Sequence, residues 1–230
     1  MSQIKPQLVT CPECGFAEER TLFVSLNGER VPTQVLHLLD DTFEEQVCGQ
    51  CGACFRPEHE LLYSHFALRI WIVMMPRAMR PRFAALEAAV LSQFQQPFAE
   101  APPLVSAGLA GVRPRLVFGQ PFLSEAVRVI ELGIEPALLE AAKLFFFRRN
   151  LGRLMPLGPH ELTFRGFVPE GQDLQLAVRR LGDGAIIEEL TMPRSVLDEV
   201  TAEREEIAAR YPELFARPYV SAARYLHAAE

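Results

Sequence analysis

The sequence lacks the features that mark membrane-spanning and secreted chains. Its longest purely apolar run, Ile70 to Met75, has six residues, whereas a helix that crosses a bilayer needs about 20. The first ten residues contain no apolar core of the kind that directs secretion. These absences predict no membrane association and a cytoplasmic, thiol-reducing location, in which cysteines stay free of disulfides.

The sequence also lacks the familiar catalytic signatures. It contains no His-Glu-x-x-His motif, no nucleophile elbow and no phosphate-cradling glycine loop. The pairs His59-Glu60 and His160-Glu161 stand alone, and a catalytic base needs a positioned partner. We therefore expect a protein that is not an enzyme. An enzyme with an unrecognised site in the C-terminal region remains an alternative.

Positive charge is scarce in the N-terminal third. The chain has a formal net charge of −6, and residues 1–76 hold five basic and ten acidic side chains. A surface of this sign repels a phosphate backbone, so the sequence argues against a nucleic-acid partner. With 49% hydrophobic and 23% charged residues among 230, the chain can bury a core and form one or two globular domains.

Against this background, two Cys-x-x-Cys-Gly hooks stand out near the N-terminus. Four thiolates in two such hooks suit a tetrahedral metal site. The glycine that ends each hook can adopt a positive φ angle, so that backbone N–H groups point at the sulfurs. Four-thiolate sites usually hold zinc, and iron in the same cage or a pair of disulfides are the alternatives. We predict Zn²⁺ held by these metal ligands: Cys11, Cys14, Cys48 and Cys51.

Two further side chains near the second hook could contact the metal. Cys54 forms an overlapping hook with Cys51, and His59 follows closely. We favour Cys48 with Cys51, because Gly52 then follows the second ligand as a glycine does in the first hook. Whether Cys54 or His59 touches the metal stays open. Four thiolates leave no coordination position for water, so the site should be structural.

The 33 residues between the hooks have patterns of their own. Thr21 to Leu26 alternates as a strand, and Val31 to Leu39 suits a short helix with a proline in its first turn. Phe43 to Val47 would then return as a strand to the second hook. Two hooks joined by such an insert make a zinc ribbon.

A strand to about Tyr63, a short turn and a Trp-Ile-Val strand ending at Pro76 follow the second hook. Together with the two hooks, this order resembles the CpXC domain of bacteria and archaea, from about Thr10 to Pro76. The resemblance implies the same four ligands and a zinc ribbon, and it implies no activity. Two departures are Gly49, where the family tends to have proline, and the turn Ser64-His65-Phe66.

The remaining chain predicts a second region. We assign residues 1–94 to a CpXC-type zinc-ribbon domain with a following helix, 95–114 to a Pro/Gly/Ala-rich linker, and 115–230 to an α+β C-terminal region. This last region contains three alternating segments, separated by turn signals, that predict an antiparallel β-meander. The segments are Glu161 to Val168, Asp173 to Arg180 and Ala185 to Met192. Helices are expected before and after them, including one from Pro136 through Phe147, one from Pro193 to Arg210 and one from Pro218 to Ala228.

Three successive phenylalanines, Phe145 to Phe147, cannot share one face of a helix, because neighbours are about 100° apart. Either the helix is buried nearly all round, or one ring is exposed at a contact.

The fold class we predict is α+β: an N-terminal four-cysteine zinc ribbon followed by a mixed helical and antiparallel β-meander region. The function we predict is that of a non-catalytic, zinc-stabilised intracellular protein for protein binding, scaffolding or regulation. Its partner would be another protein or a second copy of itself. A nucleic-acid-binding zinc ribbon is the alternative, by analogy with other proteins of that fold.

Overall fold

The computed structural model describes residues 2–96, 111–169 and 171–226, and it confirms the expected α+β class. The strands are β1 Gln3–Thr10, β2 Ala17–Asn27, β3 Gln46–Val47, β4 Cys54–Phe55, β5 Leu61–His65, β6 Ile70–Met75, β7 Arg113–Phe118, β8 His160–Phe167, β9 Leu174–Arg180 and β10 Ile186–Met192. The α-helices are α1 Pro32–Leu39, α2 Phe83–Gln95, α3 Gln120–Glu131, α4 Pro136–Arg149, α5 Leu151–Leu154, α6 Arg194–Ala202, α7 Arg204–Arg210, α8 Pro212–Ala216 and α9 Ala223–Leu226. The chain divides into two compact units, Met1–Ser124 and Glu125–Glu230.

The first unit is built on a five-stranded sheet with the order β1-β2-β5-β6-β7. The pairs β1–β2 and β5–β6 are antiparallel, whereas β2–β5 and β6–β7 are parallel. β6 lies inside this sheet, and five of its six residues are buried, which explains its unbroken apolar sequence. The Phe94 ring on α2 and Trp71 of β6 form a T-shaped pair, with 5.2 Å between ring centroids.

The boundary between the units differs from the one that the sequence suggested. Most of the expected linker, residues 97–110, lies outside the described residues. Residues from 115 onwards were assigned to the C-terminal region, but β7 pairs with β6 from Arg113 to Phe118. It therefore completes the sheet of the first unit, and the division falls at Ser124.

The insert between the hooks folds largely as expected, with α1 beginning at Pro32 and β2 extending beyond the predicted strand. The return strand is shorter than expected, because only Gln46–Val47 pairs with β4. The cause is local: Glu44 has a φ angle of 51°, which turns the chain away from an extended course.

The second unit contains the antiparallel sheet β10-β9-β8, which confirms the expected meander. Its central helix, α4, is buried around most of its circumference. Phe146 and Phe147 belong to the core, and the partly buried Phe145 packs against Tyr211 at 6.2 Å between ring centroids. The structure therefore supports the first of the two interpretations, a helix buried nearly all round.

The last helices are shorter than the sequence suggested. The expected helix from Pro193 to Arg210 is two helices, α6 and α7, separated at Glu203. Of the last expected helix, only Ala223–Leu226 is helical among the described residues, and its end falls on residues 227–230, outside them. In the described part of the chain, no helix combines the length and apolarity needed to cross a bilayer.

Candidate metal centre

The first hook lies between β1 and β2 and is closed by its own backbone. The Cys11 N–H donates to the Phe16 carbonyl at 2.8 Å, and the Gly15 N–H donates to the Cys11 carbonyl at 3.0 Å. Gly15 has a φ angle of 74°, a conformation that favours glycine. The turn brings the Phe16 N–H to the Cys14 sulfur, so a backbone hydrogen bond orients the Cys14 thiol.

The second hook, between β3 and β4, repeats this geometry. The Cys48 N–H donates to the Ala53 carbonyl at 2.9 Å, and the Gly52 N–H donates to the Cys48 carbonyl at 3.0 Å. Gly52 has a φ angle of 72°, and the Ala53 N–H reaches the Cys51 sulfur. Two loops with the same hydrogen bonds thus present two thiols each, one buried and one exposed.

The structure brings the four predicted cysteines together: their Sγ atoms all lie within 4.8 Å of one another. Across the hooks, Cys11 Sγ is 3.8 Å from Cys51 Sγ, and Cys14 Sγ is 3.6 Å from Cys48 Sγ. A tetrahedral zinc site with Zn–S bonds of about 2.3 Å has sulfur–sulfur edges of about 3.8 Å. A disulfide needs about 2.05 Å. The donor set and its spacing therefore fit a single metal ion and do not match disulfides.

The surroundings of these thiols shift their pKa values in opposite directions. The backbone N–H groups of Cys51 and Gln50 lower the pKa of Cys48 to about 7. At Cys14, the Phe16 N–H lowers the pKa, but partial desolvation of the sulfur and the three neighbouring sulfurs outweigh it and raise this pKa to about 12. Cysteines bind zinc as thiolates, so we expect metal affinity at this site to depend on pH.

Cys54 and His59, the two open candidates, make other contacts. Cys54 is exposed on β4, and hydrogen bonding to the Glu45 carboxylate raises the pKa of its thiol. His59 Nε2 lies 2.6 Å from Glu44 Oε2, and its Nδ1 lies 3.0 Å from the Glu60 carbonyl. Burial lowers the pKa of His59, but the Glu44 carboxylate more than offsets this and raises it. The cluster of four sulfurs includes neither residue.

A second cluster of buried polar groups lies in the second unit and was missed from the sequence. Lys143 forms ion pairs with Glu125 and Glu140, at 2.6 Å from the latter. Glu125 accepts the Phe164 N–H at 2.8 Å, and Glu140 accepts the Ala222 N–H at 2.7 Å. The only local signal was the spacing of Glu140 and Lys143, which places them on one side of a helix. This cluster joins α3, α4, β8 and the segment before α9.

A family model described as CpXC protein matches residues 9–143, which is more than half of the 230 residues. The matched stretch contains both hooks and extends into α4. No curated protein and no solved structure matches the chain.

Proposed function

The chain belongs to the CpXC protein family, and we propose that it is a non-catalytic protein-binding or scaffolding protein built around one structural zinc ion. The observation that carries this proposal is the cluster of four sulfurs, two from each hook, within 4.8 Å. Cys11, Cys14, Cys48 and Cys51 would hold the ion and satisfy its four positions. A bound zinc supplies a fixed positive centre for the thiolates, and it leaves no position for a reacting water.

A structural role is supported by how little core the ribbon has. Only Val9 is buried among the eight residues of β1, and the first half of β2, Ala17 to Thr21, contains no buried residue. Segments that bury so little apolar surface depend on a cross-link or a metal for stability. We therefore assign the zinc to holding the hooks, β1 and the start of β2 together.

A protein-binding role is supported by exposed apolar side chains on the same ribbon. Ile4 is 59% exposed and Leu8 is 76% exposed, and their spacing places both on one face of β1. Between them lies Pro6, which has no N–H to offer to an additional strand. A partner would therefore contact the side chains of this face, and not extend the sheet.

We test the protein-binding role with the double substitution Ile4→Ser and Leu8→Ser in the full chain, crosslinked to its neighbours inside the cell. We expect crosslinked partners for the original chain and their loss from the variant, whereas thermal stability changes by less than about 0.5 kcal/mol because both residues are exposed. Gln7→Ser, on the other face of β1, is the control. If the original chain crosslinks to no other protein and no second copy, the binding role is wrong.

The nucleic-acid alternative leads to a separate prediction. The matched family region begins in the acidic part of the chain, where ten acidic side chains face five basic ones in residues 1–76. An acidic surface displaces no counterions from the phosphates of a nucleic acid. Binding of this protein to DNA or RNA should therefore be weak or absent at physiological salt. We expect no change in the fluorescence anisotropy of labelled DNA or RNA on adding the zinc-loaded protein. Tight binding that weakens steeply with salt would favour the alternative function.

A further inference from the structure

One edge of β2 is available for contacts other than strand pairing. β2 pairs with β1 along almost its whole length, but it pairs with β5 only from Ser25 to Asn27. Within the described sheet, the edge of β2 that faces away from β1 is therefore without a paired strand from Ala17 to Val24. An N–H on such an edge needs another acceptor.

Residues 44–49, which lead into and begin the second hook, supply contacts to this edge. We call them the hook arm. Three hydrogen bonds join the arm to β2, and each uses one side chain and one backbone group. They are Phe23 N–H to Glu44 Oε1 at 2.6 Å, Arg20 guanidinium to Val47 carbonyl at 2.8 Å, and Gly49 N–H to Glu18 Oε1 at 3.2 Å. The residue numbers rise along the arm while those of the β2 partners fall, so the two segments run antiparallel.

The first of these contacts is buried. The side chains of Glu44 and His59 are only 6% and 7% exposed, and the second carboxylate oxygen of Glu44 lies 2.6 Å from His59 Nε2. Beside them, the ring of Phe43 packs on Phe23 at 5.8 Å between centroids. Glu44 holds a φ angle of 51°, a conformation that a non-glycine residue keeps only where its surroundings enforce it.

The other two contacts act on the hook itself. Val47 directly precedes a predicted metal ligand and Gly49 directly follows it. Glu18 and Arg20 also pair with each other at 2.8 Å, and the Arg20 guanidinium and backbone hydrogen bond lower the pKa of Glu18, keeping it ionised. Gly49 contributes an N–H that a proline at this position would lack. A Cβ at Gly49 would stand 3.2 Å from Glu18 Oε2, so the approach is close.

We propose that Glu18, Arg20 and Glu44 are positioning residues of the metal centre, which clamp the second hook to β2 and thereby hold it opposite the first hook. β2 begins two residues after Gly15, so a hook fixed to β2 is also fixed relative to the first pair of sulfurs. The clamp pre-orders the four ligands and slows metal loss, although none of its members touches the ion. The inference rests on the proposed metal site and adds the residues that hold it in shape.

The test is the rate at which full-length, Zn²⁺-loaded protein loses its metal to an excess of chelator, followed with a colorimetric zinc indicator. Residues outside a ligand set that orient the ligands typically change metal retention by about 10–100-fold. We therefore expect Glu18→Ala and Glu44→Gln to release Zn²⁺ faster by about 10-fold or more. Their sequence neighbours give matched controls, Glu19→Ala and Glu45→Gln, which should release Zn²⁺ at the original rate.

A double-mutant cycle isolates the clamp from general destabilisation. Gly49→Pro removes the N–H that Glu18 accepts, so it should speed zinc release in the original chain and add little in the Glu18→Ala background. Both residues lie at the periphery of the site, so this cycle decides the question even if Glu44→Gln fails to fold. Rates equal to those of the controls, or fully additive effects in the cycle, would overturn the clamp. Failure of the original chain to take up Zn²⁺ would instead overturn the proposed metal function.

Discussion

Replacing Cys14 or Cys51 with serine should abolish metal binding and unfold the ribbon that contains β1 and the hooks. Each change removes one thiolate from a set of four whose sulfurs lie within 4.8 Å. Structural zinc contributes on the order of 10 kcal/mol to the folding of small metal-dependent domains. The ribbon buries too little apolar surface to replace that contribution, because β1 has a single buried residue.

The measurement combines metal content with amide hydrogen exchange. We expect one zinc per chain in the original protein and none in the variants, with protection lost in β1 and at the start of β2. Protection should persist in β6, whose residues are almost all buried, and in the second unit. The variants would then show a local unfolding of the ribbon, as expected for a metal that stabilises one part of a chain.

Cys54→Ser is the matched control, since Cys54 is an exposed cysteine that follows the second hook but lies outside the sulfur cluster. It should leave both the metal content and the exchange pattern unchanged. Loss of zinc on changing Cys54 would show that the ligand set is wrong. A red-brown protein would show that the cage holds iron, since iron–sulfur centres also use four thiolates.

The hooks and the β-meander could be predicted because their signals are local. A Cys-x-x-Cys-Gly segment determines its own turn, and both hooks show the expected glycine with a φ angle above 70°. The meander alternates apolar and polar residues between glycine-containing turns, so the pairing of β8, β9 and β10 follows from neighbouring residues. In both cases, the residues that define the structure are close together in sequence.

The strands β1 and β7 show where local patterns are insufficient. β1 contains Pro6 and exposes both Ile4 and Leu8, so it has neither the composition nor the buried face of a typical strand. β7 pairs with β6, which lies almost 40 residues earlier in the chain. A parallel pairing over that distance depends on tertiary packing, which the sequence of β7 does not contain.

The charged clusters were missed for a related reason. In the sequence, Glu44 and Lys143 look like ordinary surface residues, because such side chains are seldom buried. Each is buried by elements far away in the chain: Glu44 by β2 and the residues before β5, and Lys143 by a carboxylate on another helix. Burial removes these charged groups from water, so each needs an opposite charge or a hydrogen bond inside the protein.

The second large effect is expected at Lys143, whose side chain is 2% exposed between the carboxylates of Glu125 and Glu140. Lys143→Met should destabilise the second unit by about 3–5 kcal/mol near pH 8, because it leaves two buried carboxylates without a cation. The loss should appear as a lower midpoint in urea unfolding. Arg149→Met on the same helix removes an ion pair with Glu199 that is more than half exposed, and it should cost less than about 1 kcal/mol.

The pH dependence separates this electrostatic cost from a packing defect. Burial raises the pKa of Glu125 to about 7 even with Lys143 nearby. A carboxyl whose folded pKa is raised contributes stability below its unfolded pKa of about 4.3 and loses it as the pH rises through the folded value. Without Lys143 the pKa of Glu125 should rise further, so the stability deficit of Lys143→Met should be small near pH 5 and grow towards pH 8.

Adding Glu125→Gln and Glu140→Gln should recover much of the loss at pH 8, since neutral partners need no cation. A deficit that is the same at both pH values, or no larger than that of Arg149→Met, would show that the buried charges do not set the stability of this unit.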